Sequence, residues 1–382
     1  MDRPIYLDHN ASTPVPPRVR EAVARSLEEG FGNPSAAHAF GRRARALVER
    51  ARAQVAALLG AEPDEIFFTG GGTEANNLAL RGVLGAAPGG AGVLVTSVID
   101  HPATLEPALL LERAGIQVAR VKPGPEGCVD PARVASALDA VQGRPALVSV
   151  LLAQNETGVL QPIAEIAERA RARGALVHTD AAQAVGKIRI DVNELGVDLL
   201  SVAGHKLYAP KGVGALYVRR GTAVRPLLAG AGHERGLRPG TENVGGIAGL
   251  GEACAMALET VEEEGRRQRR LRDALEARLE AGGFVVHGAG VPRLPNTISG
   301  RFPGAHGSAL LARLEDVIAF SIGSACHAGE ERASATLLAM GVPAVDALGA
   351  IRLSLGRQTT EEEIERAAEA LLAAIGRRSS IA

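Results

Sequence analysis

The run Val197-Asp198-Leu199-Leu200 reads as a buried strand, and a tight turn after it ends in Gly204-His205-Lys206. A lysine placed there stands at the carboxyl end of a strand, where open α/β sheets put their ligands. Leu176-Val177-His178-Thr179-Asp180 is a second apolar run, and it ends in an acid. A lysine amine condenses with an aldehyde, and a carboxylate pairs with a protonated ring nitrogen so that the ring can accept electrons. Those are the two services that pyridoxal 5'-phosphate (PLP) needs from a protein. Surface lysines and strand-end aspartates are common, so the pair gains weight only from its neighbours.

Four further groups supply those neighbours. Thr69-Gly70-Gly71-Gly72-Thr73-Glu74 follows a strand and opens a helix. Glycines there let backbone N–H groups converge on an anion, and the helix start adds partial positive charge. A tight turn capped by Thr73 is the plainer reading; beside a PLP lysine the segment reads as a phosphate cup. His101 ends another strand, where an imidazole could stack on a ring and move protons, although single histidines are usually structural. Asn155, in Gln154-Asn155-Glu156-Thr157-Gly158, is either a turn former or a contact to cofactor or substrate. Arg352 sits in an apolar stretch and needs an anionic partner, for which a substrate carboxylate would serve.

The three cysteines differ in setting. Cys254 lies on a helix, as a structural thiol would, and Cys128 lies in a Pro/Gly-rich segment. Cys326, in Gly323-Ser324-Ala325-Cys326-His327-Ala328-Gly329, occupies a small, Gly-rich polar stretch that suggests a mobile loop, and by itself its thiol reads equally as reactive or inert. An odd, widely spaced set excludes a disulfide framework and a metal knuckle, so no metal site is expected.

Seven short apolar runs, near 66–69, 93–98, 118–121, 147–152, 176–179, 199–202 and 215–218, position these groups. Helical patterns at 42–59, 104–114, 131–140 and 163–173 alternate with them, which predicts an α/β fold with a mainly parallel seven-stranded sheet. The last two runs have no helix between them, so one antiparallel strand is expected. After Gly251 the texture changes to a charged amphipathic helix over 252–281, strand-like runs at 284–287, 297–299 and 317–321, and a helix over 360–376. The expected division is a large PLP-binding domain at 14–255 and a smaller α+β domain made of 1–13 and 256–382.

Lys+Arg is 42 against 43 Asp+Glu, so no overall basic field exists to draw nucleic acid. No apolar run approaches the roughly 20 residues of a membrane span, and the start lacks signal-peptide features. A cytoplasmic enzyme is expected.

Taken in order, these motifs resemble the cysteine desulfurases of the class V aminotransferases, from Tyr6-Leu7-Asp8-His9-Asn10-Ala11-Ser12-Thr13-Pro14 through Phe31-Gly32-Asn33-Pro34-Ser35 and Arg238-Pro239-Gly240-Thr241 to Arg352. The resemblance implies PLP fold type I and a homodimer with active sites at the subunit interface. It implies that Lys206 carries PLP, Asp180 pairs with the pyridinium, Gln183 bonds the phenolic oxygen and His101 stacks on the ring. Gly72, Thr73 and His205 would hold the phosphate, with Ala203 and Gly204 in the same cofactor-binding turn and Thr241 supplied by the other subunit. Asn155 and Arg352 would orient the substrate. Cys326 would attack the sulfur of L-cysteine, leaving L-alanine and a persulfide for a sulfur acceptor such as an iron–sulfur scaffold protein.

Two departures stand out. Ala203 replaces the phosphate-binding serine of many relatives. Cys326-His327, with Leu294-Pro295-Asn296-Thr297, is also similar to selenocysteine lyases, which makes L-selenocysteine the alternative substrate. A non-catalytic sulfur-transfer scaffold is the third reading, and the intact set of Lys206, Asp180, His101 and Cys326 argues against it.

Overall fold

The computed structural model describes residues 3–86, 92–141, 144–327 and 330–376, with backbone alone at 324–327, 330 and 331. The apolar runs form one seven-stranded sheet: β1 Ile66–Thr69, β2 Val93–Ser97, β3 Gln117–Val121, β4 Ala146–Ser149, β5 Leu176–Asp180, β6 Leu199–Ala203 and β7 Gly214–Val218. Their spatial order is β1-β7-β6-β5-β4-β2-β3. From β3 to β6 neighbouring strands are parallel, whereas β7 is antiparallel to both β6 and β1. β2, β6 and β7 are buried at every position, as a sheet covered on both faces requires.

This topology positions the site. Because β2, β4, β5 and β6 run the same way, the chain leaves all four at one edge of the sheet. His101, Asn155, Asp180 and Lys206 therefore emerge together at that edge.

The long helix departs from the sequence expectation. It spans Val244–Ala281 rather than 252–281, so Gly249 and Gly251 lie inside it. A Cβ on Gly251 would stand 2.6 Å from Ala51 Cα, and one on Gly249 would stand 2.8 Å from Val23 Cγ2. These glycines admit the neighbouring helices Ala39–Leu59 and Pro17–Glu29 rather than mark a boundary. The helix is also long and apolar enough, by composition, to cross a membrane, contrary to the expectation that no run comes close. Here it is a core helix. Ile247, Leu250, Ala253 and Cys254 pack in the cluster beneath the large sheet, and Leu271, Leu275 and Leu279 pack in a second cluster.

That second cluster lies under a four-stranded antiparallel sheet in the order β10-β13-β9-β8, from β8 Val285–Val286, β9 Thr297–Arg301, β10 Ser321–Ile322 and β13 Ala350–Ser354. The expected strand at 317–321 is split, because Ile318–Ala319 pairs in parallel with Ile5–Tyr6 while Ser321 turns to face Arg352. Cys326 lies on an antiparallel hairpin, β11 Ser324–His327 with β12 Glu330–Ala333, and its backbone stands opposite Glu331. The expected loop is instead a hairpin in which Ser324, Ala325, Cys326 and His327 stand opposite Ala333, Arg332, Glu331 and Glu330. The Cys326 side chain lies outside the described residues.

Candidate active site

Gly72, Thr73, His101, Asn155, Asp180, Gln183, Ala203, His205 and Lys206 line one cavity of about 80 Å³. Gly72, Thr73 and His205 also line a wider cleft of about 840 Å³ that reaches Arg238 and Pro239. The sequence reading named all nine. Gly204 is buried behind them, where a Cβ would meet the Val213 carbonyl at 2.8 Å. Thr241 is exposed and does not line the small cavity.

Lys206 ends a short 3-10 turn after β6. Its amine makes no hydrogen bond among the described residues. Burial presses the amine below the ordinary lysine range, Asp180 opposes that shift and Arg352 adds to it. A lysine so placed keeps more of its amine unprotonated near neutral pH than one in water does, and so available to react. Two residues on, Tyr208 holds φ 70°, a left-handed conformation unusual for a side chain of its size. The Thr13 hydroxyl accepts from the Tyr208 N–H at 2.8 Å, and the Tyr208 hydroxyl accepts from the Arg357 N–H at 2.8 Å.

Asp180 ends β5 on the cavity lining. Its Oδ2 accepts from Asn76 Nδ2 at 2.7 Å and its Oδ1 from the Ala182 N–H at 2.9 Å. Beneath it, His178 bridges Ser149 and Ser201 across three strands at 2.9 Å each, which ties β5 to both neighbours. His101 caps the helix Pro102–Arg113, its Nδ1 accepting from the Ala103 N–H at 3.1 Å. That bond places the proton of a neutral ring on Nε2. Burial, then Lys206, lowers the His101 pKa, with Asp180 opposing, so the neutral ring is the form at neutral pH. The His205 pKa is lowered too, by burial and then by Lys206 and Lys211.

At the cup, the Glu74 carboxylate accepts from the Gly70 N–H at 2.8 Å and is paired with Arg238 at 2.8 Å. The helix Gly72–Ala86 starts directly on the cavity wall. Gly71 has φ 147°, and a Cβ on Gly214 would stand 2.8 Å from Gly71, so the cup and β7 approach more closely than side chains permit.

Arg352 joins the site through Asn155. Its Nη1 donates to the Asn155 carbonyl at 2.9 Å, while Nη2 donates to Asp8 Oδ1 at 2.7 Å and to the Ser321 hydroxyl at 2.8 Å. Its Nε is buried without a partner among the described residues. Of the other thiols, half-buried Cys128 has its pKa raised by burial and by Glu126. Burial alone raises that of Cys254 far more.

Sequence reading missed Asn76 and Asp8. Asn76 stands three residues after Thr73, hence on the same helix face, and that spacing was the available signal. Asp8 carried none, since nothing local links it to Arg352.

The residues present fit PLP. A helix start flanked by Thr73 and His205 suits a phosphate, and the same cavity is lined by a carboxylate, Asp180, and by a lysine, Lys206, whose amine has no hydrogen-bond partner among the described residues.

The chain matches the family Aminotransferase class-V over residues 5–367. This protein belongs to that family. Among curated relatives of this class-V chain, the cysteine desulfurase IscS of Dictyoglomus turgidum is 42% identical over 369 residues, covering 95% of this chain and 92% of that one. A cysteine desulfurase of Klebsiella pneumoniae is 46% identical over 368 residues, covering 94% and 90%. Among solved structures, a NifS-like protein superposes with a TM-score of 0.91 at 36% identity, covering 98% of this chain and 100% of that one. SspA in complex with cysteine gives a TM-score of 0.81 at 34% identity, covering 92% and 98%. The class-V fold is thus the one expected from sequence, an α/β enzyme of PLP fold type I.

Proposed function

We propose that this chain is a PLP-dependent cysteine desulfurase that converts L-cysteine to L-alanine and passes the sulfur on through Cys326. The observation that carries this reading is the convergence of Lys206, Asp180, His101 and the 72–73 helix start on one cavity. The names of its relatives agree with it. Bound PLP supplies an electron sink for the carbanion formed at the substrate Cα.

The chain's own residues do the rest. Gly72, Thr73 and His205 hold the phosphate, with Ala203 and Gly204 shaping the turn. Asp180 would pair with the pyridinium nitrogen, His101 would stack on the ring and Gln183 would donate to its phenolic oxygen. Asn155 and Arg352 orient the substrate, and Arg352 takes its carboxylate. Lys206, kept more readily unprotonated by burial, would hold the cofactor aldehyde and, once freed, would take the substrate Cα proton on Nζ. The Cys326 thiolate attacks the substrate sulfur. The substrate Cβ–S bond breaks with its electron pair left on Cβ, the remaining fragment is protonated at Cβ and Cα to give L-alanine, and the sulfur stays on Cys326 as a persulfide for an acceptor such as an iron–sulfur scaffold protein.

We read residues 14–255 as the PLP-binding unit and 1–13 with 256–382 as the unit carrying Cys326 and Arg352. The two apolar clusters support that division. We also place the enzyme in the cytoplasm as a homodimer, with Thr241 of the partner subunit completing the phosphate site.

The test is alanine release from L-cysteine and from L-selenocysteine, compared as kcat/KM on PLP-loaded protein, with Cys326→Ala beside it. Cysteine turnover that Cys326→Ala abolishes while PLP stays bound supports the desulfurase. Selenocysteine turnover with negligible cysteine turnover makes the chain a selenocysteine lyase instead.

A further inference from the structure

We propose that Lys187, four residues beyond Gln183 in the turns that follow β5, is a positioning residue that turns an N–H of the Gln183 amide toward the cofactor ring. This rests on the PLP reading above. Lys187 has no carboxylate partner among the described residues. Its Nζ donates to Asn10 Oδ1 at 2.7 Å and to Gln183 Oε1 at 2.8 Å. A buried ammonium solvated only by two amide oxygens is costly, and burial drives its pKa well down, with Lys206 and Arg352 adding to the shift. His9, Lys206 and Arg352 are the titratable or charged groups that interact with it.

The geometry explains what this arrangement achieves. With Oε1 held by Lys187, the Gln183 nitrogen points the other way, where one N–H donates to the Asn10 carbonyl at 2.9 Å. The second N–H is left for the cavity that Gln183 lines. Asn10 cannot rearrange to help, because its Nδ2 donates to the Thr297 hydroxyl at 2.9 Å and its Oδ1 also accepts from Asn296 at 3.1 Å. Removing the ammonium leaves the Asn10 and Gln183 amide oxygens facing each other with no proton between them. The Gln183 amide then rotates to relieve that repulsion, and the ring oxygen loses its donor.

An N–H aimed at a phenolic oxygen favours the ionised oxygen, so its loss favours the protonated chromophore. The experiment follows the visible absorbance of PLP-loaded protein against pH. The midpoint is expected to rise in Lys187→Met by about half a unit to one unit, the size of one neutral hydrogen bond. Adding Lys187→Met to Gln183→Ala should move the midpoint no further, because Lys187 acts through Gln183.

An unmoved midpoint in Lys187→Met, even with a lowered Tm, overturns the proposal by reducing Lys187 to a structural role. An equal shift in the Gln183→Ala background overturns it in favour of a bare charge effect. Should Lys187→Met not fold, Lys187→Gln carries the test with the same expected rise, since its amide nitrogen ends one bond short of the Nζ position. Wild-type protein that takes up no PLP defeats the cofactor reading itself and this proposal with it, a result distinct from the others.

Discussion

Arg352 donates to the carboxylate of Asp8 at 2.7 Å, so the guanidinium expected to grip a substrate carboxylate already holds one from its own chain. A substrate carboxylate must then bind beside a like charge, and both reach the same cation. Asp8→Asn keeps an acceptor for Arg352 while removing that repulsion. Its KM for L-cysteine should fall about threefold, on the scale of an exposed ion pair. Arg352→Lys should raise KM about tenfold or more, since one ammonium cannot form the paired bonds of a guanidinium. Steady-state kinetics decides; a raised KM in Asp8→Asn would show that Asp8 serves substrate binding by holding Arg352 still.

His178 should make the fold acid-labile. Burial lowers its pKa to about 4, whereas the unfolded chain takes up the proton near 6.5. Stability from the neutral ring is therefore complete above about 6.5, is lost as pH falls toward 4 and is level below that. The loss is at most on the order of 3 kcal/mol. Asp100, raised to about 7 by burial, works in the opposite sense, and His9 and His287, lowered to about 4, work in the same sense. All three are common to wild type and His178→Gln. Urea unfolding at pH 7 and pH 4.5 should show a smaller drop in His178→Gln; an equal drop removes His178 from the account.

Ala203 faces the cup from β6, and a Cβ built on Gly72 would lie 3.1 Å from the Ala203 Cβ. A hydroxyl at this position would reach the phosphate region. Ala203→Ser should lower the PLP dissociation constant about two- to tenfold, the worth of one neutral hydrogen bond. Equilibrium dialysis against PLP measures this directly, and an unchanged or weaker constant would place the phosphate elsewhere.

Arg52 and Glu234 form a buried two-point ion pair at 2.8 Å, and Glu234 also accepts from the Phe68 N–H at 2.8 Å. The pair fastens the 233–243 loop to β1, the strand that leads into the cup. Glu234→Ala leaves a buried guanidinium with the half-exposed Glu49 as its remaining carboxylate and the Ile66 carbonyl as its remaining buried acceptor, and should destabilise the fold by about 3 kcal/mol. Denaturant unfolding tests it; a loss below about 1 kcal/mol, as for surface pairs, would mean that water reaches Arg52.

Much of this site was legible in the sequence because its residues sit at the ends of apolar strands. Continuous burial marks such strands plainly, and the residue that follows each one is forced to the sheet edge. That is why His101, Asp180 and Lys206 could be named without coordinates. The Val244–Ala281 helix shows the opposite case: Gly249 and Gly251 read locally as a break, yet they are set by the close approach of Ala51 and Val23. Composition cannot distinguish a glycine that ends a helix from one that admits a neighbour.

By itself, then, the sequence determined the strands and most helices, the polarity of the strand-end residues and the motifs that place the chain among the class-V enzymes. These follow from local periodicity and from residue chemistry, both of which act over a few positions. The tertiary structure decided which of those residues meet. Asp8 and Arg352 are 344 residues apart, and Asn10 and Gln183 are 173 apart. Such contacts arise only when parallel strands align their ends and the second apolar cluster packs the amino-terminal segment against them. No local pattern encodes that, because the partner that satisfies each buried polar group is chosen by packing.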